Sequence, residues 1–257
     1  MKSGFFTAVL RHRTAVFAGL AMATAMTTAH ATNLVINGGF EATTKGTGQL
    51  GFNTEVTGWS VPNPNAGGSY AFVFSPGEAD TTGVTGQNGN LQLWGAGNGG
   101  ASALANSSPN GGNFVALDGA FQPGPISQTI DGLVAGESYT VSFDWAAAQQ
   151  FTFDGSTTEQ FQVSFGSETQ KTGIISNASH SSTAWQTQSF TFTADGSSDV
   201  LSFLAVGTPS GVPPFALLDG VSVNAVTPAV PEPSSLALLA TGLLGAGGML
   251  RRRFMKA

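Results

Sequence analysis

The chain has 257 residues, 35 glycines, no cysteine, and nine lysines and arginines against fifteen acids. Absence of thiols excludes disulfides, cysteine nucleophiles and thiolate metal sites. Seven of the nine basic residues lie near the two ends, leaving Lys45 and Lys171 against fourteen acids between Thr32 and Ala229; a middle region of about −12 repels phosphate backbones and excludes nucleic acid as a partner.

The first segment reads as a secretory signal peptide over residues 1–31. Met1 to Arg13 carries Lys2, Arg11 and Arg13, Thr14 to Ala29 is apolar or small, and Ala29-His30-Ala31 fits a small-x-small cleavage site. This predicts a leader helix, export by the Sec machinery and a mature start near Thr32. Residues 32–224 then have the size of one domain, large enough to bury a core without disulfides.

Within that domain the period is two. Tyr139, Val141, Phe143 and Trp145 alternate with Thr140, Ser142 and Asp144; Phe161, Val163 and Phe165 alternate with Gln162 and Ser164. Further strands are predicted at Asn33 to Asn37, Tyr70 to Phe74, Leu91 to Trp94, Asn113 to Asp118, Ile126 to Ile130, Gln186 to Thr193, Val200 to Val206 and Phe215 to Val223. No convincing helix interrupts them, and the segment from Gly95 to Gly112 is too poor in large apolar residues to pack a core. About ten strands with turn residues between them predict an all-β antiparallel β-sandwich.

In the closing strand, strict alternation puts Asp219 on one face with Phe215, Leu217, Val221 and Val223. A carboxylate among core-facing side chains must be paired, hydrogen-bonded or bound to a metal. The alternative is a bulge at Gly220 that turns Asp219 to solvent, with Glu41 bonded to backbone.

Catalysis finds little support in the residues. His180 is the single histidine of the middle region, and no Gly-x-Ser-x-Gly elbow occurs there. Carboxylate pairs such as Asp144 with Asp154 or Glu159 keep glycoside hydrolysis as a lesser alternative. Binding is favoured: sugar rings pack their C–H faces on aromatic rings while amides and carboxylates take the hydroxyls. Trp94 with Gln92 is the first candidate, followed by Tyr70 near Asn63 and Asn65, and by Phe151 with Phe153 beside Gln149, Gln150 and Asp154. Trp145 is assigned to the core, Trp59 and Trp185 to core or rim.

The last segment has three parts. A linker over 225–235 holds Pro231-Glu232-Pro233; Leu236 to Leu250 is apolar and uncharged; Arg251, Arg252 and Arg253 follow. The fifteen-residue apolar run would span roughly 22 Å as a helix, a marginal single transmembrane helix within 236–257. The arginines should remain cytoplasmic, placing everything before them across the membrane. An ordinary proline-linked anchor is one reading. The three parts, in this order and place, resemble the PEP-CTERM sorting signal of Gram-negative bacteria, and that resemblance implies cleavage by an exosortase.

A second resemblance covers the middle. Asn33-Leu34-Val35-Ile36-Asn37-Gly38-Gly39-Phe40-Glu41, then Ala116-Leu117-Asp118-Gly119, Ile126-Ser127-Gln128-Thr129-Ile130 and Gly136 to Phe143, and finally Leu217-Leu218-Asp219-Gly220-Val221-Ser222-Val223, resemble galactose-binding-like jelly rolls, the fold of many carbohydrate-binding modules. The resemblance implies a structural calcium ion between first and last strands, with Glu41 and Asp219 at the matching positions. The functional expectation is an exported, non-catalytic protein of the cell envelope, outer surface or extracellular matrix that binds glycan or exopolysaccharide. The alternative is a structural biofilm or surface coat protein with no defined sugar ligand.

Overall fold

The computed structural model describes residues 32–101 and 108–226. The leader, the Pro-Glu-Pro tripeptide, the apolar run and the arginine cluster lie outside the described residues. Among those described, no helix is long and apolar enough to cross a membrane.

Thirteen strands are described: β1 Gly48–Gln49, β2 Ala71–Phe74, β3 Val84–Gly86, β4 Gly89–Leu91, β5 Phe114–Asp118, β6 Ile126–Asp131, β7 Ser138–Gln149, β8 Thr157–Phe165, β9 Glu168–Lys171, β10 Ile175–Asn177, β11 Gln186–Thr193, β12 Ser198–Thr208 and β13 Pro214–Ala225. One sheet has the order β1-β2-β5-β13-β7-β11; the other runs β10-β8-β12-β6, with β9 also paired to β8. Every pairing between these strands is antiparallel. The expected all-β sandwich is therefore the observed architecture.

The core between the sheets is built from alternate residues of facing strands. Phe143 and Trp145 of β7 meet Phe161 of β8 and Phe203 of β12, with ring centroids 5.0–6.2 Å apart. Strand β8 alternates between buried and half-buried residues along its whole length, as a sheet with one solvated face should. The larger sheet behaves differently. Strands β2 and β5 are buried at every position, and so is β7 from Phe143 to Gln149, because a second apolar layer covers the outer face. That layer joins Phe72, Phe74, Phe114, Phe215 and Leu217 to Val84, Leu91 and Leu93 from the β3–β4 hairpin and the chain after it. This double burial explains the run Ala146-Ala147-Ala148, where alternation stops: small side chains let the covering loops approach.

Two expectations about the sheet ends are corrected. Asn33 to Asn37 forms no strand, although it runs where one was expected: Leu34 N donates to Val223 O at 2.9 Å and Val221 N to Gly38 O at 2.9 Å. It takes the side of β13 that β5 leaves free, since β5 pairs only with Phe215 to Leu218. In β13 itself, the register with β7 shifts between Asp219 and Ser222, and Gly220 has φ +59°. This bulge reverses the alternation. Phe215 and Leu217 join the outer apolar layer, whereas Val221 and Val223 join the inter-sheet core. The five residues assigned to one face thus divide between two.

Candidate functional site

Four of the five side chains expected to meet a ligand come from loops that converge at the C-terminal end of β7. Trp94 N donates to Gln149 O at 2.8 Å and Phe151 N to Gln92 O at 2.9 Å, stitching the chain after β4 to the chain after β7. The rings of Trp94 and Phe151 meet edge to face with centroids 4.5 Å apart. Trp94 Nε1 donates to Phe153 O at 3.0 Å, which fixes the indole in its plane. Gln92 supports rather than presents: its side-chain amide donates to Thr81 O at 2.6 Å.

His180, the single histidine of the middle region, completes the group. Its ring lies 4.1 Å from that of Trp94, tilted by 32°, and its Nε2 contacts Asp154 Oδ1. The backbone holds it there: His180 N donates to Gln149 Oε1 at 2.7 Å, Gln149 Nε2 donates to Gly155 O at 2.8 Å, and Gly155 N donates to Ser179 Oγ at 2.8 Å. Trp94, Phe151, Phe153 and His180 are each half-buried, and the Asp154 side chain is 84 % exposed. The result is a partly exposed aromatic surface with a carboxylate at its rim. No local pattern in the sequence links position 180 to position 94; only the shared anchor at Gln149 does.

Tyr70 lies elsewhere. It is 6 % exposed, packs against Phe72, Phe121 and Phe215, and belongs to the outer apolar layer rather than to an open aromatic surface. Trp145 is in the core as expected; Trp59 is buried beside Phe40, and Trp185 packs on Phe114. The acids considered for hydrolysis occupy three different environments. Asp144 accepts from Thr187 Oγ1 at 2.6 Å, Asp154 pairs with His180, and Glu159 is inside the core.

The second polar site surrounds the bulge. Asp219 is fully buried, which corrects the view that a bulge would turn it to solvent. Its Oδ1 accepts from Gly220 N at 2.7 Å and lies 3.5 Å from Asn110 Nδ2, while its Oδ2 contacts the Ser108 hydroxyl. Burial pushes its carboxyl up to about 7 against these donors, and the charge of Glu41 adds to the rise. Glu41 Oε1 accepts from Asn113 N at 2.8 Å, and Asp144 is the cross-strand partner of Asp219. So Glu41 and Asp219, far apart in sequence, do share a neighbourhood, with Asp144 opposite. Oxygen donors of this kind suit a hard cation. Among the described residues, however, no three His, Asp or Glu side chains are grouped so as to hold one by themselves; backbone carbonyls would have to complete any shell.

Residues 32–211 match the family model described as a carbohydrate binding domain, and the chain belongs to that family. Residues 229–253 match the PEP-CTERM protein-sorting motif, which marks an exported cell-surface protein. Similar solved structures include TmCBM61 in complex with β-1,4-galactotriose, at 13 % identity over 76 % of this chain and 100 % of that one (TM-score 0.40). The CBM22-1 xylan-binding domain of Xyn10C from Paenibacillus barcinonensis is 12 % identical over 77 % and 97 % (TM-score 0.37), and a CBM4 structure 14 % identical over 74 % and 99 % (TM-score 0.31). Comparison with curated proteins finds no match.

Proposed function

We propose that the protein is a non-catalytic glycan-binding module, exported from a Gram-negative bacterium and delivered to the outer surface or the exopolysaccharide matrix after exosortase cleavage of its PEP-CTERM tail. The observation that carries the binding reading is the grouping of Trp94, Phe151, His180 and Asp154, with Trp94 and His180 both hydrogen-bonded to Gln149. The ring surfaces stack a sugar's apolar face, and Asp154 with the His180 ring takes its hydroxyls. A surface this acidic favours neutral sugars here. Glu41 and Asp219 would hold a structural calcium that ties the start of the domain to its last strand. That ion would have no part in the sugar contacts.

Glycan-array screening of the purified protein, followed by calorimetry on each hit, tests the reading. Trp94→Ala should weaken binding to a neutral oligosaccharide by tenfold or more while the unfolding midpoint moves by a few degrees. A hit whose affinity is the same in Trp94→Ala and in His180→Ala would remove the platform from the reading. Absence of any hit would favour the coat-protein alternative. Calcium is tested separately: it should raise the unfolding midpoint, more so at pH 8 than at pH 5, because Asp219 must give up its proton to bind the ion. Asp219→Asn should abolish that rise.

A further inference from the structure

A second cleft lies away from the aromatic platform, on the side of the sandwich where β1 and β6 end their sheets. Its floor is Leu50, Val56, Trp59, Val61 and Ile126, its rim Glu55 and Ser60, and its cavity volume about 160 Å³. A shallower depression of about 270 Å³ adjoins it through Gly51 and Glu55 and is lined by Lys45, Phe52 and Asn53. Apolar floor and polar rim alternate along the combined groove, which fits neither a purely apolar nor a purely ionic ligand.

The walls are pinned. Thr44 N donates to Glu55 O and Glu55 N to Thr44 Oγ1, both at 2.9 Å; Thr54 Oγ1 donates to Gly46 O at 2.8 Å, and Asn53 Nδ2 to Thr85 O at 2.8 Å. Ser60 is bridged to Ser127 of β6, so the floor belongs to the sheet edge itself. Groove shape is therefore set before a ligand arrives, which lowers the ordering cost of binding.

Two side chains there stand out against the rest of the domain. Phe52 is 45 % exposed, an unusual position for an aromatic ring with no other ring against it among the described residues. Lys45 is one of two lysines in the described region and forms no ion pair among the described residues. A domain of about −12 repels anions nearly everywhere; the groove is where a cation, a ring and hydroxyl-matching groups coincide.

We propose that this groove binds an acidic disaccharide-sized segment of a glycan: one ring rests on the apolar floor beside Trp59, and the next, a hexuronate, meets Phe52 with its C–H face and Lys45 with its carboxylate. Glu55 and Ser60 take hydroxyls. The site is separate from the Trp94 platform and does not depend on it. Together the two would let one module hold a neutral and an acidic stretch of polymer.

Saturation-transfer NMR and calorimetry on the full chain test the proposal with a digalacturonate and with its dimethyl ester, which keeps both rings and removes the charge. The acid should bind about tenfold more tightly than the ester, the equivalent of about 1.4 kcal/mol. Lys45→Ala should bring the acid down to the ester's affinity, and Lys45→Arg should restore most of the difference. Val61→Trp, which fills the floor, should weaken both probes. Trp94→Ala should leave the affinity for the acid unchanged. Equal binding of acid and ester, an acid affinity unmoved by Lys45→Ala, or loss of acid binding in Trp94→Ala would each overturn the assignment.

Discussion

The two sheets share one core and differ in what covers their backs. On the five-stranded sheet the outward residues of β12 face solvent, with Val200 and Val206 exposed. On the six-stranded sheet the outward residues of β2, β5 and β13 lie beneath a second apolar layer made by the β3–β4 hairpin and the chain around it. The covered sheet can therefore hold loops rigidly above it, and the aromatic platform is assembled from those loops: Trp94 follows β4, and Phe151 follows β7. Rigid display of a loop site thus follows from a layer whose composition, glycine and asparagine with occasional leucine, looks like linker.

The largest test compares the two apolar layers directly. Phe203→Ala in the inter-sheet core and Phe215→Ala in the outer layer both remove fully buried rings, and each should cost about 3–5 kcal/mol in denaturant unfolding. If Phe215→Ala cost less than about 1 kcal/mol, the outer layer would be a loose cover rather than a second core. Loss of glycan binding should accompany Phe215→Ala and not a surface change on the open sheet.

Glu159 provides the next test, because it is a buried acid of the five-stranded sheet with far fewer partners than Asp219. Among the described residues Thr157 Oγ1 is its one donor, and its Oε2 and the Oδ1 of Asn177, the cross-strand partner of Thr157, have no hydrogen-bond partner. Burial pushes its carboxyl up to about 8 from the ordinary 4.5. Below pH 4.5 both folded and unfolded chains hold the proton and nothing is lost. Between 4.5 and 8 the unfolded chain releases it first, so stability falls as pH rises, by on the order of 5 kcal/mol in full. Glu159→Gln should remove that part of the slope, stabilising the fold at pH 9 by that order and leaving it nearly unchanged at pH 4. An unaltered pH profile would mean that the Glu159 side chain reaches water.

A smaller effect is expected at the bulge. Gly220→Ala places a Cβ 2.9 Å from Asp144 Oδ2 on a residue with positive φ, and should cost about 2 kcal/mol. It should also lower any calcium-dependent rise in midpoint, since the bulge aims Asp219 at Ser108 and Asn110. The smallest change is predicted on the open sheet: Val200→Thr should stay within about 0.5 kcal/mol of the parent.

Much of the fold was legible from local pattern. Strand β11 occupies the predicted residues, and the predicted segments from Asn113 to Val223 all lie inside or overlap observed strands. Strands β1, β3, β9 and β10 were not foreseen, because two to four residues cannot display a period. At the platform, Trp94, Phe151 and Asp154 were chosen for their chemistry and do come together. Tyr70 met the same chemical criterion and is buried, since exposure depends on the layer that folds over it.

By itself the sequence determined the two-residue period, the strongly acidic exported domain and the terminal sorting signal, all properties of neighbouring residues or of composition. The tertiary structure decided which face each side chain took. One left-handed glycine at position 220 reversed the pattern of β13, leaving Asp219 buried beside a loop more than a hundred residues away. It also decided that His180 would stack on Trp94, because both hang from Gln149. Contacts of that separation are fixed by packing and closure of the whole sandwich, and no local pattern encodes them.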